Sequence, residues 1–209
     1  MNNSCRLIDT IDTAPIINEI NEEHYKIETI RQKVVKEQKY TESIFLRHSP
    51  FVHKVLEARH NQDVCNTKLY NLYPHTTQYI RDFAADPNRG NGHLSRIIIA
   101  RLQPKSNIEE HIDIGMYHVV RKRYHIVVKS PNGSIMNIDG KDYIWTEGEV
   151  YWFNNNITHH VRNDSEEWRT HIIFDIIPFD RFELTKQLRA AYYDAIGIPQ
   201  FIIDDFRYL

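Results

Sequence analysis

Apolar and polar positions divide the chain into three textures. Between Asn18 and Lys39, Ile20, Tyr25, Ile27, Ile30 and Val34 recur at roughly helical spacing among Glu and Lys, which predicts a helix. Residues 41–93 mix short apolar runs and close on Ala84-Ala85-Asp86-Pro87-Asn88-Arg89-Gly90-Asn91-Gly92. That stretch is a loop, because Pro and Gly interrupt regular structure and Asn tolerates left-handed geometry. From Arg96 to Pro178 the texture is β: runs of Ile, Val, Tyr, Phe and Trp are broken by turn signals at Pro131-Asn132-Gly133, Asp139-Gly140, Glu147-Gly148 and Asn163-Asp164. Strands are expected near 94–102, 111–115, 117–121, 123–129, 134–138, 142–145, 150–154, 159–162 and 168–177, some of them merging. After Pro178 the spacing of Phe182, Leu184, Leu188, Ala191 and Tyr192 is helical as far as Gly197-Ile198-Pro199. The expected organisation is one mainly β structural domain with flanking helices. Residues 1–93 form a helical or mixed extension packed on the core, 94–178 the β core, and 179–209 a helical end. Short, evenly spaced antiparallel strands suggest a sandwich, a barrel or a jelly roll.

Composition narrows the function. The 209 residues are 41% hydrophobic and 26% charged, a globular balance that fits one domain with a full core. A net charge of −2 gives no long-range attraction to nucleic acid or to an anionic membrane, and the densest basic run, Arg121-Lys122-Arg123, is too short for a nucleic-acid groove. Two cysteines, Cys5 and Cys65, make no disulfide framework. The N-terminus lacks the pattern of an export signal, and no apolar run approaches the ~20 residues of a membrane span, so a cytoplasmic setting is expected. The 12 histidines are the unusual figure and motivate a search for a metal site.

His111-Ile112-Asp113 supplies the first element of such a site. Two apart on a strand, an imidazole and a carboxylate share one face and can hold one cation. Alone the spacing is weak, since about one is expected by chance in a chain this rich in His and Asp. The polar stretch Pro104 to Glu110 is read as a loop that opens the strand. The second element is Phe153 to Asn163, where a strand ends, a polar turn follows, and His159 opens the next strand with His160 as the competing ligand. The third is the apolar strand Trp168 to Asp175, with Arg169 near its start. If the segments 159–162 and 168–177 form a hairpin, His159 pairs with His171 and Val161 with Arg169, which sets Arg169 diagonally from His159, about 7–8 Å away. That spacing favours His159 over His160. A buried arginine beside a metal calls for an anion between them, and a dicarboxylate chelating the metal at one end suits the two-pronged guanidinium at the other. Two imidazoles and one carboxylate leave three positions open on an octahedral ion, the arrangement of non-haem Fe(II) oxygenases. A salt bridge from Arg169 to Glu147 or Glu149 is the competing explanation, and a non-catalytic jelly-roll module binding a metal or carboxylate is the competing function.

These residues as a set resemble the aspartyl/asparaginyl β-hydroxylase family of 2-oxoglutarate oxygenases. The signature runs His111-x-Asp113, Arg123-x-His125, Gly148-Glu149 before Phe153, His159 with Val161 following, and Arg169 ten positions after that histidine, over Arg96 to Pro178. The resemblance implies a double-stranded β-helix (a cupin-like jelly roll) with His111, Asp113 and His159 on Fe(II). It also implies Arg169 on the distal carboxylate of 2-oxoglutarate, Arg123 and His125 as further co-substrate contacts, and O₂ as oxidant. The animal aspartyl hydroxylases lack the carboxylate ligand that Asp113 supplies here. The expected substrate is therefore a small polar molecule, an amino acid or an amino-acid side chain, free, carrier-bound or in a peptide. No nucleic-acid or membrane partner is expected. Arg47, His48 and Tyr117 are the candidate substrate contacts, and the N-terminal zone, outside the resemblance, is the expected seat of specificity.

Overall fold

The structure, a computed structural model, describes residues 4–27, 29, 32–33, 35–48 and 64–195. Within them the chain runs through β1 (Cys5–Thr10), α1 (Ala14–Glu19), β2 (Thr41–His48), β3 (Cys65–Asn66) and α2 (Pro74–Ala85). It continues through β4 (Gly92–Leu102), β5 (Ser106–His111), α3 (Met116–Val119), β6 (Lys122–Lys129), β7 (Ser134–Ile138) and β8 (Lys141–Tyr143). The last elements are β9 (Glu149–Phe153), β10 (His159–Asn163), β11 (Arg169–Pro178) and α4 (Phe182–Ala195). The part of the C-terminal helical expectation beyond 195 lies outside the described residues.

The strands form two antiparallel sheets, one ordered β1-β9-β6-β11-β4-β2-β3 and the other β5-β10-β7-β8. From β4 onward, successive strands alternate between the sheets, except that the hairpin β7–β8 stays in the smaller one. The middle of the large sheet, β9-β6-β11-β4, thus faces β5-β10-β7-β8, and this interleaving is the double-stranded β-helix, or jelly roll. The large sheet does not stop at residue 94, since β1, β2 and β3 extend it on both sides.

Period-2 alternation gives the large sheet two buried faces. Tyr124, Ile126, Ile172, Phe174, Ile97 and Ile99 point outward, onto α2, and Phe83 meets Tyr124 and Phe174 edge-on. In α2, Thr76, Thr77, Ile80, Phe83 and Ala84 recur at helical spacing on the buried side. Pro74 opens the helix where a missing N–H costs nothing, and the Glu19 carboxylate accepts the free amides of His75 and Thr76. Burying Phe83 and Ile80 stabilises this layer by roughly 1.5–3 kcal/mol each. The inward face carries Leu102, Val127 and Phe153 against Met136, Ile138 and Val161 of the small sheet.

Several expectations are corrected. The single helix over 18–39 is broken: α1 ends at Glu19, Ile20 and Asn21 are extended, and short 3-10 turns lie at Glu22–Lys26 and Lys36–Gln38, with Gln32 and Lys33 helical between them. The apolar spacing there does not make one buried face, since Tyr25 is buried while Ile27 is exposed. The segment read as a polar loop before His111 is β5, an edge strand whose outer side carries its polar residues. Where a strand was expected at 117–121, residues 116–119 form the single helical turn α3, entered through Gly115 at φ 105°. Finally, β10 and β11 form no hairpin. β10 pairs with β5 and β7, whereas β11 pairs with β4 and β6, so the turn at 164–168 carries the chain from one sheet to the other.

Candidate metal centre and anion cavity

The end of β5 and the start of β10 are register partners, which sets His111 directly opposite His159 with ring centroids 4.3 Å apart. Asp113 follows just beyond β5, its amide donating to the Asn155 carbonyl at 3.0 Å. The three side chains offer ligand atoms that all lie within 4.8 Å of one another. Both imidazoles are locked in one tautomer. His111 Nδ1 is 2.7 Å from the Glu109 carbonyl and His159 Nδ1 is 2.8 Å from the Ile157 carbonyl. A carbonyl only accepts, so each Nδ1 carries the hydrogen and each Nε2 keeps its lone pair free, as an imidazole ligand requires. Burial lowers the pKa of His159, which favours its neutral form. His160 turns the other way, with Nδ1 3.9 Å from Glu110 Oε2.

Asp113 is held from several sides. Arg123 Nη1 and Asn155 Nδ2 (3.0 Å) both donate to its Oδ2, while Oδ1 lies 3.9 Å from His111 Nε2. Burial works to raise its pKa, but the Arg123 guanidinium, with His118 and His159, overrides this and holds it far below the carboxylate range. Asn155 Nδ2 also lies 3.2 Å from His118 Nδ1, so one amide ties the α3 turn to the carboxylate. This donor set suits a divalent cation: two nitrogens with free lone pairs, oriented by backbone carbonyls, and one ionised carboxylate held by Arg123 and Asn155.

The triad opens on a cavity of about 600 Å³, counting its mouth, between the sheets. Arg123, His125, Arg169, His171 and Ile173 line it from the large sheet, and Ile108, Met136 and Val161 from the small one. Arg169 reaches this cavity from the sheet opposite His159, not along a shared hairpin. It is buried, and its one polar contact among the described residues is Nη2 to His171 Nδ1 at 3.4 Å. Neither competing acid pairs with it: Glu147 accepts the Ser130 amide, and Glu149 accepts from the Thr146 amide and the Tyr151 hydroxyl. Burial alone pulls its pKa down to about 9. A guanidinium without a counter-anion in such a place is costly, and an anionic ligand relieves the cost.

His125 and His171 stand beside it, Nδ1 to Nδ1 at 3.3 Å, and burial with the nearby guanidinium charges holds both imidazoles well below their ordinary pKa. Arg123 is differently placed from Arg169, being engaged with Asp113 and Asp175. Of the three substrate candidates, none lines the cavity. Arg47 binds Asn66 and the Val64 carbonyl at the β2–β3 edge, His48 closes the same strand, and Tyr117 is buried with its hydroxyl on Asp175. Gln38 and Thr41 are the N-terminal residues at the cavity wall. Asp175 was detectable in the sequence as the one acid in an apolar strand, in phase with Arg169 and His171. Asn155 carries no comparable signal.

Interleaved sheets with a His-Asp-His cluster and a buried cationic wall are the features of a jelly-roll oxygenase. The sequence profile of aspartyl/asparaginyl beta-hydroxylases matches residues 17–178, and the chain belongs to that family of enzymes. The match reaches well upstream of Arg96, so most of the N-terminal zone lies inside the family's region. No curated protein matches the sequence. Among solved structures the chain is similar to an oxidoreductase of the 2OG-Fe(II) oxygenase family from Burkholderia pseudomallei, at 16% identity and TM-score 0.47, covering 65% of each chain. It is also similar to a predicted oxalate decarboxylase from Thermotoga maritima, at 10% identity and TM-score 0.36, covering 66% of this chain and 80% of that one. A third is salicylate 1,2-dioxygenase from Pseudaminobacter salicylatoxidans, at 17% identity and TM-score 0.35, covering 48% and 27%. The chain spans about 65% of the length of the Burkholderia protein. Among the described residues no helix is long and apolar enough to cross a membrane.

Proposed function

We propose that this protein is an Fe(II)- and 2-oxoglutarate-dependent hydroxylase whose substrate is a small polar molecule, an amino acid or an amino-acid side chain. The observation that carries the reading is Arg169, a buried cation with no counter-anion among the described residues, in the same cavity as the His111-Asp113-His159 cluster. A structural metal site needs no such anchor, and a dicarboxylate co-substrate does.

In this reading His111 Nε2, His159 Nε2 and one oxygen of Asp113 hold the iron. Iron with 2-oxoglutarate and O₂ supplies the oxidising chemistry, one oxygen atom entering a substrate C–H bond and the other entering succinate as CO₂ leaves. Arg169 receives the distal carboxylate of 2-oxoglutarate and fixes its direction, a task for which a planar fork is better suited than a point charge. Leu102, the register partner of Arg169, and Phe153, Val161 and Ile173 line the same cavity with apolar surface, which strengthens an ion pair formed there. Gln38 and Thr41, joined by a hydrogen bond from Thr41 Oγ1 to Gln38 Oε1 at 3.2 Å, offer polar groups to a substrate at the wall. Neither a long basic groove nor a repeat array argues for a nucleic acid or an extended peptide.

The test is succinate formation from 2-oxoglutarate across a panel of amino acids, peptides and cell extract. Product that requires Fe(II) and O₂, and that vanishes in His159→Ala while His160→Ala retains most of it, is the expected result. Tight metal binding with no consumption of 2-oxoglutarate under any condition would favour the non-catalytic module instead.

A further inference from the structure

Asp113 is held twice over by one residue. Its backbone amide donates to the Asn155 carbonyl at 3.0 Å, and its Oδ2 accepts from Asn155 Nδ2 at 3.0 Å as well as from Arg123. The two side-chain donors differ in what else can engage them. Arg123 lines the cavity, where a bound ligand can draw on it, whereas Asn155 is buried in the turn between β9 and β10 and is not among the residues that line the cavity. The Asn155 contact is therefore the one for which no ligand in the cavity competes.

The hydrogens on this amide can be assigned. An ionised carboxylate only accepts, so the Asn155 nitrogen, not its oxygen, faces Asp113. The same nitrogen lies 3.2 Å from His118 Nδ1. With one hydrogen on Asp113, the second serves the imidazole, so His118 Nδ1 carries a lone pair and the ring hydrogen sits on Nε2. That nitrogen is 4.0 Å from Asp113 Oδ2, about as near as His111 Nε2 is to Oδ1, at 3.9 Å. A third imidazole nitrogen thus stands at the edge of the His111-Asp113-His159 cluster, and Asn155 occupies it. We propose that Asn155 is the positioning residue of the metal centre: through one amide nitrogen it holds Asp113 in the ligand set and keeps His118 out of it. This rests on the metal-site reading above. A carboxylate already fixed needs less ordering when the ion binds, and withholding a fourth protein ligand leaves three positions of an octahedral ion for co-substrate and O₂. A serine in this place would have one hydrogen to give and an aspartate none, so neither could serve both partners.

The experiment follows Co(II), a coloured probe, in the full chain. Asn155→Ala should bind it at least about 10-fold more weakly, the scale of loss when a group that orients a ligand is removed. Its visible spectrum should shift as the released His118 nitrogen joins the ion, and adding His118→Ala should return the spectrum toward wild type without restoring the affinity. An asparagine with a purely structural role would lower the melting temperature of the metal-free protein and move neither. His118→Ala alone, which keeps the bond from Asn155 to Asp113, should bind Co(II) as the wild type does. If Asn155→Ala fails to fold, nitrogen NMR of the wild type decides. His118 should carry its hydrogen on Nε2, and its Nδ1 resonance should stay in place when Zn(II) is added, while the Nε2 resonances of His111 and His159 shift. Wild-type affinity or a wild-type spectrum in Asn155→Ala, or a His118 Nδ1 that shifts with the metal, overturns the proposal and leaves the metal site standing. A wild-type protein that takes up no Co(II), or an Asp113→Ala variant that binds it normally, overturns both readings.

Discussion

Arg169 and its two histidine neighbours lead to separate predictions about single residues. In the proposed reading Arg169→Ala removes the cation that would face the co-substrate's distal carboxylate, and losses at buried charge pairs suggest a cost of roughly 2–5 kcal/mol. That corresponds to about 30-fold to a few thousand-fold weaker binding of 2-oxoglutarate, measured by titration of the metal-loaded protein. Arg169→Lys should fall short as well, and normal binding by Arg169→Ala would move the anchor to another residue. His125 and His171 bear on stability. Burial first, with the Arg123 and Arg169 charges acting on His125 and the Arg169 charge on His171, depresses both pKa values, so the folded protein keeps these rings neutral while the unfolded chain protonates them near 6.5. Stability is therefore full above that pH and falls as the pH drops below it toward the depressed values, by up to about 1.4 kcal/mol per histidine per pH unit. His171→Asn should flatten the fall in denaturant midpoint between pH 7 and 5, and an unchanged slope would show that the ring does not carry it. The convergence of His111, Asp113, His159 and Arg169 on one cavity was legible in sequence because the chemistry sought there confines it to a few residue types at set spacings. His171 and Asn155 were not, because their roles depend on which sheet β11 joins and on one turn's backbone path.

At the scale of elements, β11 is the seam of the fold, paired with β4 on one side and β6 on the other. Gly92 opens β4 opposite Pro178, where a Cβ would press on the Ile177 carbonyl and come 2.8 Å from Ile176 Cγ2. Backbone gives way less readily than a side chain, so Gly92→Ala should destabilise the protein by about 1–3 kcal/mol, seen as a lower melting temperature. Gly140 is the contrast. A Cβ there meets nothing within 4 Å, and φ of +75° limits the cost of alanine to about 1–2 kcal/mol of backbone strain. A Gly140→Ala loss equal to or larger than that of Gly92→Ala would refute the close-packing argument. The same elements explain what pattern reading recovered. β4, β6, β7, β9 and β11 were visible because interior strands of a jelly roll are buried on at least one face and rich in branched and aromatic residues. β5 was hidden by its edge position, and α2 by Thr76 and Thr77, whose hydroxyls mask an otherwise amphipathic face.

For the whole molecule, the question is what the first forty residues do. Sequence alone suggested an accessory segment whose removal would weaken substrate-coupled turnover and spare the uncoupled decay of 2-oxoglutarate, with Arg47 as a contact. The structure gives these residues a different role. β1 pairs with β9 from Cys5↔Phe153 to Thr10↔Glu149, the Ile11 amide donates to the Gly148 carbonyl at 2.8 Å, and Ile16 and Tyr25 are buried in the outer core. Burial of those two side chains contributes roughly 1.5–3 kcal/mol each, a large share of the roughly 5–15 kcal/mol that holds a typical domain together. Deletion would also bare β9 as a new sheet edge, an invitation to aggregation. A 41–209 fragment should therefore lose both reactions together and show no cooperative melting transition. Among the described residues of these same forty, Gln38 alone lines the cavity, and in the proposed reading it would meet the substrate there: Gln38→Ala should raise the KM for the hydroxylated substrate while leaving that for 2-oxoglutarate nearly unchanged, whereas Arg47→Ala should change neither. A fragment that melts like the full chain and still decarboxylates 2-oxoglutarate would restore the accessory role, and a substrate KM that follows Arg47 instead of Gln38 would move the binding surface to the β2–β3 edge.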